Sequence, residues 1–333
     1  MKEYTFLDAP VKIYGIAEFE KRRNLHRLPS EPMEKIPSLS FLGKRPVGAR
    51  MCFRTDSPVF KIKIELETLS PDIGMSIYSC QSAFVYVGEK TSSKFLGLVN
   101  PYNYESKVFE KTFKKSDKME DVTVFLPRNE IVKTVSVSIN DDARICEPTP
   151  YKYSKPLLFY GSSITESGIC GNMACAYTAI ISRHLDTDYY NFGFSGNAKG
   201  EIEMAEYISS LDISAFVYDY DHNAPTAEHL RKTHLPFFKL IRNKKPNLPI
   251  IMMSRPYANY GDDEMERKSI IKATYDYAIQ NGDKNVYFID GEDYFGNDSD
   301  KELFFIDTIH PTDIGFYKMA QVIEPVIKKI LEG

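Results

Sequence analysis

From Val59 to Glu67 the chain alternates apolar and polar residues, the period of a strand with one face in a core and the other in water. Short runs of similar character follow at 74–79, 83–87, 106–113, 120–125 and 134–139. Turn-forming groups separate them: Ser70-Pro71-Asp72, Asn100-Pro101, Ser116-Asp117 and Asn140-Asp141-Asp142. Many short strands with almost no helical period predict an all-β sandwich of jelly-roll type over residues 1–150. Beyond the proline-bearing connector Glu147-Pro148-Thr149-Pro150-Tyr151 the period changes. Strands are expected at 157–160, 188–192, 213–219, 249–254 and 285–290. They alternate with helices over 172–185, 201–211, 226–243, 263–280 and 313–331. Each return between parallel strands needs a crossover, so residues 151–333 are predicted to form an α/β unit with helices on both faces of a parallel sheet.

Composition narrows the classes of function. A net charge of -4 gives no reason to expect nucleic acid or an anionic membrane as partner. Lys111, Lys114 and Lys115 lie among nearby acids, and a solvated hairpin face accounts for them. The five cysteines (Cys52, Cys80, Cys146, Cys170 and Cys175) are scattered without ligand spacing and odd in number. Reduced, mostly buried thiols are expected, not a disulfide framework or a metal site. Acidic residues interrupt the N-terminus where an export signal needs an apolar core, and no apolar run approaches a membrane span. A cytoplasmic protein is expected if Met1 is the natural start.

The chemistry lies in loops that follow strands, where ligands bind in open α/β sheets. The strand Leu157-Leu158-Phe159-Tyr160 runs into Gly161-Ser162-Ser163-Ile164-Thr165, and Asp307 and His310 stand three residues apart before the last helix. A serine is a poor nucleophile until a base takes its proton, and a carboxylate must hold that base in the right tautomer. Ser163, His310 and Asp307 are the candidates for these roles, with Ser162 the nearest rival for the first. Among the other histidines, His184, His229 and His234 fall on helix patterns. His26 is far away in the β half, and His222 reads as a substrate-side or structural residue. Acyl transfer also needs donors for an oxyanion. Gly196, in Gly193-Phe194-Ser195-Gly196-Asn197, Asn223, in Asp221-His222-Asn223, and the Ser163 N–H are the candidates. Asp313 is expected to cap the last helix. Arg255 and Tyr257 follow the fourth strand of the α/β part, where packing or a surface ion pair explains them best.

These four segments resemble the four blocks of the SGNH (GDSL-type) hydrolases, a superfamily named for residues that here would be Ser163, Gly196, Asn223 and His310. Two departures stand out. Asn223 is preceded by His222 and followed by Ala224, where the family's third block reads Gly-x-Asn-Asp, and Ser162 stands where the family usually has Asp. The resemblance implies a flavodoxin-like three-layer α/β/α fold and serine esterase chemistry without metal or cofactor. Ile13-Tyr14-Gly15, Leu25-His26-Arg27-Leu28-Pro29 and Phe53-Arg54-Thr55-Asp56-Ser57 are similar to the N-terminal module of a bacterial two-domain subgroup. By analogy with that subgroup, the expected substrate is a small-molecule or oligosaccharide ester, with removal of O-acetyl groups from carbohydrate foremost. Self-association into a homo-oligomer is left open. The alternatives are a lipid or thioester hydrolase with the same triad and a non-catalytic glycan-binding protein. A nucleotide site at 193–200 is weaker: the glycines do not follow G-x-G-x-x-G, although Asp219 ends the next strand about where a ribose-binding acid would lie, about 20 residues on.

Overall fold

The alternating segments of the first 150 residues form two antiparallel sheets in the computed structural model, which describes residues 1–72, 74–257, 261–296 and 300–333. Their strands are β1 (Lys2–Thr5), β2 (Lys12–Tyr14), β3 (Arg50–Thr55), β4 (Val59–Leu66), β5 (Ala83–Val87), β6 (Lys94–Val99), β7 (Val108–Lys114), β8 (Glu120–Phe125), β9 (Val132–Ile139) and β10 (Ile145–Cys146). One sheet has the order β1-β9-β4-β7 and the other β10-β3-β8-β5-β6, with β2 beside β3. Along β4 every second residue is buried, because Phe60, Ile62 and Ile64 meet Met51, Phe53, Val85 and Val124 of the facing sheet in one core.

Three departures from the sequence reading have physical causes. Strand β3 was not expected because it is buried at nearly every position and carries no alternation; β5, expected at 83–87, is buried in the same way. On β5 this follows because Phe84 and Tyr86, with Phe125 of β8, turn away from the sandwich into the core of the α/β part. Strand β6 carries Gly97 and pairs with β5 through a register shift, which blurs its pattern. The run 74–79, expected as a strand, leads instead into a helix. After α1 (Phe19–Arg22) and α2 (Ser30–Lys35) comes α3 (Ile77–Gln81), where Ser76 Oγ accepts the Ser79 amide at 3.3 Å as an N-cap.

The second half alternates as expected. It comprises β11 (Tyr153–Gly161), α4 (Tyr177–Leu185), β12 (Thr187–Gly193), α5 (Ile202–Ser210), β13 (Ala215–Asp219), α6 (Ala227–Lys244), β14 (Ile250–Met253), α7 (Asp262–Gln280), β15 (Val286–Ile289) and α8 (Asp313–Glu332). The strands are parallel in the order β12-β11-β13-β14-β15, the flavodoxin-like arrangement. Successive residues of β11 serve opposite layers: Leu157 and Phe159 face α4 and α8, while Leu158 and Tyr160 face α5, α6 and α7. Among the described residues no helix is long and apolar enough to cross a membrane. Thr312, not Asp313, caps α8, accepting the Gly315 amide at 3.2 Å. Asp313 is the first helical residue, and its carboxylate accepts the Gly171 amide at 2.9 Å, tying α8 to the segment after the Ser163 turn.

Polar groups are buried where the halves meet and under the sheet end. Arg50 of β3, 1% exposed, donates to the Asp188 carboxylate at the start of β12 and lies 4.3 Å from the centre of the Tyr189 ring. Removing one member of such a pair leaves the other desolvated and uncompensated. Arg50→Met is therefore expected to cost about 3–5 kcal/mol, read as a lower urea midpoint at unchanged m.

Asp219, the last residue of β13, is 1% exposed, so it cannot serve as a ribose ligand. Thr165 Oγ1 donates to its Oδ2 at 3.0 Å, while its Oδ1 is buried without a partner. Burial, reinforced by the charge of Asp221, pushes this carboxyl up to about 8. The folded state thus holds a proton that the unfolded chain releases near the ordinary carboxylate range. That contribution is complete below about 3.8 and is lost as pH rises toward 8. Asp219→Asn does not titrate. Its stability relative to the parent should improve by up to about 1.4 kcal/mol per pH unit across that window, measured by urea unfolding at about pH 5 and about pH 7.5.

Candidate active site

Strand register brings three candidate loops to one level. Gly161 lies opposite Gly193 on one side and Asp219 on the other. The pairing continues one step further through Phe194 N–H to Gly161 O at 2.9 Å and Ser162 N–H to Asp219 O at 3.1 Å. Ser163 follows β11, Gly196 follows β12 and Asn223 follows β13, at the point where the strand order reverses and α/β sheets open a crevice. Ser163 is partly exposed there, whereas Ser162 is fully buried, with its Oγ accepting the Ile164 amide at 3.2 Å.

The distant Asp307–His310 loop reaches this crevice. Ser163 Oγ lies 2.8 Å from His310 Nε2, and His310 Nδ1 lies 2.7 Å from Asp307 Oδ2. With the carboxylate ionised, Nδ1–H donates to Asp307 and Nε2 is left to accept from the serine hydroxyl. Asp307 Oδ1 also accepts the amides of Ile309 at 3.1 Å and His310 at 2.7 Å, so one carboxylate shapes the loop and orients the ring. Partial burial works against its charge. These N–H groups and the imidazole outweigh that, holding the carboxyl below its ordinary range. The loop is closed by Ile306 N–H to His310 O at 3.0 Å and a bridge between Phe305 and Pro311. The tight closure puts Thr308, a β-branched residue, at φ 70°, a strained conformation.

The oxyanion candidates converge on the same cleft, of about 550 Å³. Gly196 adopts φ +70°, and a Cβ placed there would meet nothing within 4 Å, so glycine is required by the backbone and not by crowding. Asn223 Oδ1 accepts the Ala198 amide at 3.2 Å, which leaves its amide NH₂ for a ligand. Among the described residues, no protein group accepts from the Ser163 or Gly196 N–H or from that NH₂.

Four of the five other histidines have other occupations, and His26 lies in the β half. His222 lines the cleft, but its Nε2 donates to Pro256 O at 3.2 Å, and burial and the nearby Arg255 hold it neutral. His184 meets Glu324, His229 meets Lys199 O, and His234 is buried against Thr274. Arg255 is 6% exposed and bonded to Asp221, a packing role. The five cysteines are free thiols. What the sequence reading missed is that Asp72, Met75 and Arg128, from the β sheets' own connections, form one wall of the cleft. A buried Glu166 behind the Ser163 turn also escaped it. No local pattern marks it, since Glu166 lies between the polar Thr165 and Ser167.

The chain is similar over nearly its whole length to several solved structures. One is a protein described as a GDSL-like lipase from Bacteroides ovatus, with TM-score 0.88 and 24% identity, covering 99% of this chain and 98% of that one. A salicylyl-acyltransferase from a tetracycline biosynthetic pathway gives TM-score 0.80 at 17% identity, covering 99% and 97%. A family two carbohydrate esterase from Clostridium thermocellum, solved with cellohexaose, gives 0.65 at 14%, covering 97% and 99%. Identities this low establish likeness of fold. No curated protein sequence matches significantly. The family model for GDSL-like lipases and acylhydrolases matches residues 154–328, and a model of the N-terminus of SGNH-hydrolase-type esterases matches residues 3–145. The chain therefore belongs to the GDSL-like lipase/acylhydrolase family and is a carboxylic ester hydrolase.

Proposed function

We propose that the chain removes small acyl groups, foremost O-acetyl, from a carbohydrate ester by way of an acyl-enzyme on Ser163. The observation that carries this reading is the unbroken relay Asp307–His310–Ser163, with contacts of 2.7 and 2.8 Å. As Oγ bonds to the ester carbonyl carbon, its proton passes to His310 Nε2 and Asp307 stabilises the imidazolium. The carbonyl oxygen becomes an oxyanion that the N–H groups of Ser163, Gly196 and Asn223 are placed to receive. The C–O bond to the sugar then breaks, and the alcohol leaves with the proton from His310. Water adds to the acyl-enzyme under the same base, releasing the carboxylic acid and free serine.

Two further observations support the substrate class. The cleft mixes apolar Met75, Ile169 and Ile309 with polar Asp72, Ser195 and His222, a lining suited to a short acyl chain on a hydroxyl-rich alcohol. A protein of similar fold is a carbohydrate esterase crystallised with a cello-oligosaccharide.

Hydrolysis of aryl esters of graded acyl length tests the reading, followed by a panel of acetylated glycans. The parent should release acetate fastest and fall off sharply with longer chains. Ser163→Ala should leave almost none of this activity. Asp307→Asn should lower kcat about 10⁴-fold through the wrong tautomer, and Asn223→Ala about 10²–10³-fold through the lost donor. Equal turnover of two-carbon and eight-carbon chains would overturn the acetyl-sugar assignment and favour a lipid or thioester substrate. Full activity in Ser163→Ala would overturn the triad.

A further inference from the structure

Glu166, three residues past Ser163, has no exposed surface, yet its carboxylate joins three separate parts of the chain. Its Oε1 accepts from Arg27 at 2.9 Å, and its Oε2 accepts the Ser195 N–H at 2.9 Å together with the Ser195 hydroxyl. Arg128 donates through Nε to the Glu166 carbonyl at 3.1 Å and sets its guanidinium 3.6 Å from Oε2. Arg27 also donates to the carbonyls of Asn191 at 3.1 Å and Gly193 at 2.6 Å, on the strand that leads into the Gly196 loop. Burial opposes the charge of Glu166, but the three cations Arg128, Arg27 and Arg45 outweigh it and hold the carboxyl below its ordinary range. Both Arg27 and Arg128 lie within residues 3–145, the N-terminal β module.

The bonds converge on the two peptide units that flank the Ser195 α-carbon. The Ser195 N–H is fixed by Glu166, and the Ser195 carbonyl is fixed by Asn197 Nδ2 at 2.7 Å. In a trans peptide the Gly196 N–H points opposite to the Ser195 carbonyl, so pinning these groups aims that N–H. The need is local, because glycine at φ +70° offers little resistance to a flip of the peptide. Close approach adds a second hold: a Cβ on Gly193 would come within 2.0 Å of the Glu166 nitrogen. Arg128 reaches the cleft, but its donors are already directed at Glu166, Asn129, Met75 and Ser195. It is built as a clamp, not as a ligand for a substrate anion.

We propose that Glu166 is the positioning residue of the oxyanion loop, and that Arg27 and Arg128 of the β module hold its carboxylate against Ser195, so that the module completes the acyl-transfer site. This inference rests on the reading of Gly196 as an oxyanion donor. It predicts that weakening the clamp harms the transition state and spares the bound ester.

The test compares the parent with Glu166→Gln, Arg128→Met and Arg128→Lys, each normalised to competent sites by titration with a fluorophosphonate that modifies Ser163. Three quantities are read: kcat and KM on an acetate ester, and inhibition by methylboronic acid, which adds to serine as a tetrahedral anion. Expected for Glu166→Gln and Arg128→Met is a loss of kcat of about 10–100-fold with a parallel weakening of boronate inhibition and KM within about twofold. Arg128→Lys, which keeps the charge but cannot span carbonyl and carboxylate together, should recover part of the loss. Retention of kcat and boronate affinity within about twofold in the titrated sites, whatever the fall in Tm, overturns the proposal. Should Glu166→Gln fail to fold, the two Arg128 variants decide it alone. A parent whose Ser163 resists the fluorophosphonate overturns the triad reading itself and the inference with it, an outcome distinct from labelled variants that keep their rate.

Discussion

Gly161 pairs with Gly193 on one flank and Asp219 on the other, and the placing of Ser163, Gly196 and Asn223 depends on that register. A slip of one residue would move a loop about 3.3 Å and turn its strand's side chains to the opposite layer. Leu158 and Tyr160 would then face α4 and α8 instead of the core they share with Phe216, Tyr218 and Phe237. Strand β11 is apolar and buried on both faces, so the fit of particular side chains into each layer fixes chemistry as well as packing. His310 is referenced to Ser163 by another route, since its loop follows β15 at the far side of the sheet. Helix α8 carries the reference: Phe316 stacks on Tyr177 of α4 at 6.3 Å between ring centres, and Asp313 holds Gly171. Both routes end at the Ser163 turn.

Elements with one face in a core and one in water were legible in the sequence through their period, and the fully buried β11, β13 and β14 through unbroken apolar runs that alternate with helices. Strand β4 and the amphipathic α6 and α8 are of the first kind, and α6 begins where expected, with Thr226 as its cap accepting the His229 amide at 3.1 Å. Strand β3 is covered on both sides and has no period to read, while residues 74–79 offered a weak alternation that the Ser76 cap overrode. The candidate site was legible for a different reason. Ser163, Asp307 and His310 are residue types that chemistry demands, in loops that the α/β alternation puts at one end of the sheet. Their convergence at 2.7–2.8 Å was expected. The wall given by Asp72, Met75 and Arg128 was not, because nothing in a strand pattern states which connection of one module will face the cleft of another.

Buried charge at the joint between the two halves has a consequence for how they are held. Glu166, Arg27 and Arg128 are at most 2% exposed, and taking such groups out of water costs several kcal/mol per ion before their mutual attraction is counted. A network of this kind is a weak source of net stability. The apolar contact of Phe84, Tyr86 and Phe125 with Phe159, Tyr177 and Tyr189 is the better one, since it removes large aromatic surfaces from water at no such cost.

The two kinds of contact differ in what they tolerate. Apolar burial is non-directional, so the β module could shift by a fraction of an ångström across those rings with little change in free energy. A guanidinium bonded to two carbonyls and a carboxylate allows no such latitude, because each N–H must stay near its acceptor in both distance and angle. Groups that act on a reacting centre must be held within about 0.5 Å of their working positions. Apolar surface supplies the adhesion, and ion pairs at Glu166 and Asp188 supply the registration. That division places the costly buried charges behind the Ser195–Gly196 turn and at the start of β12, the strand that leads into it, where the geometry of the candidate oxyanion site is set.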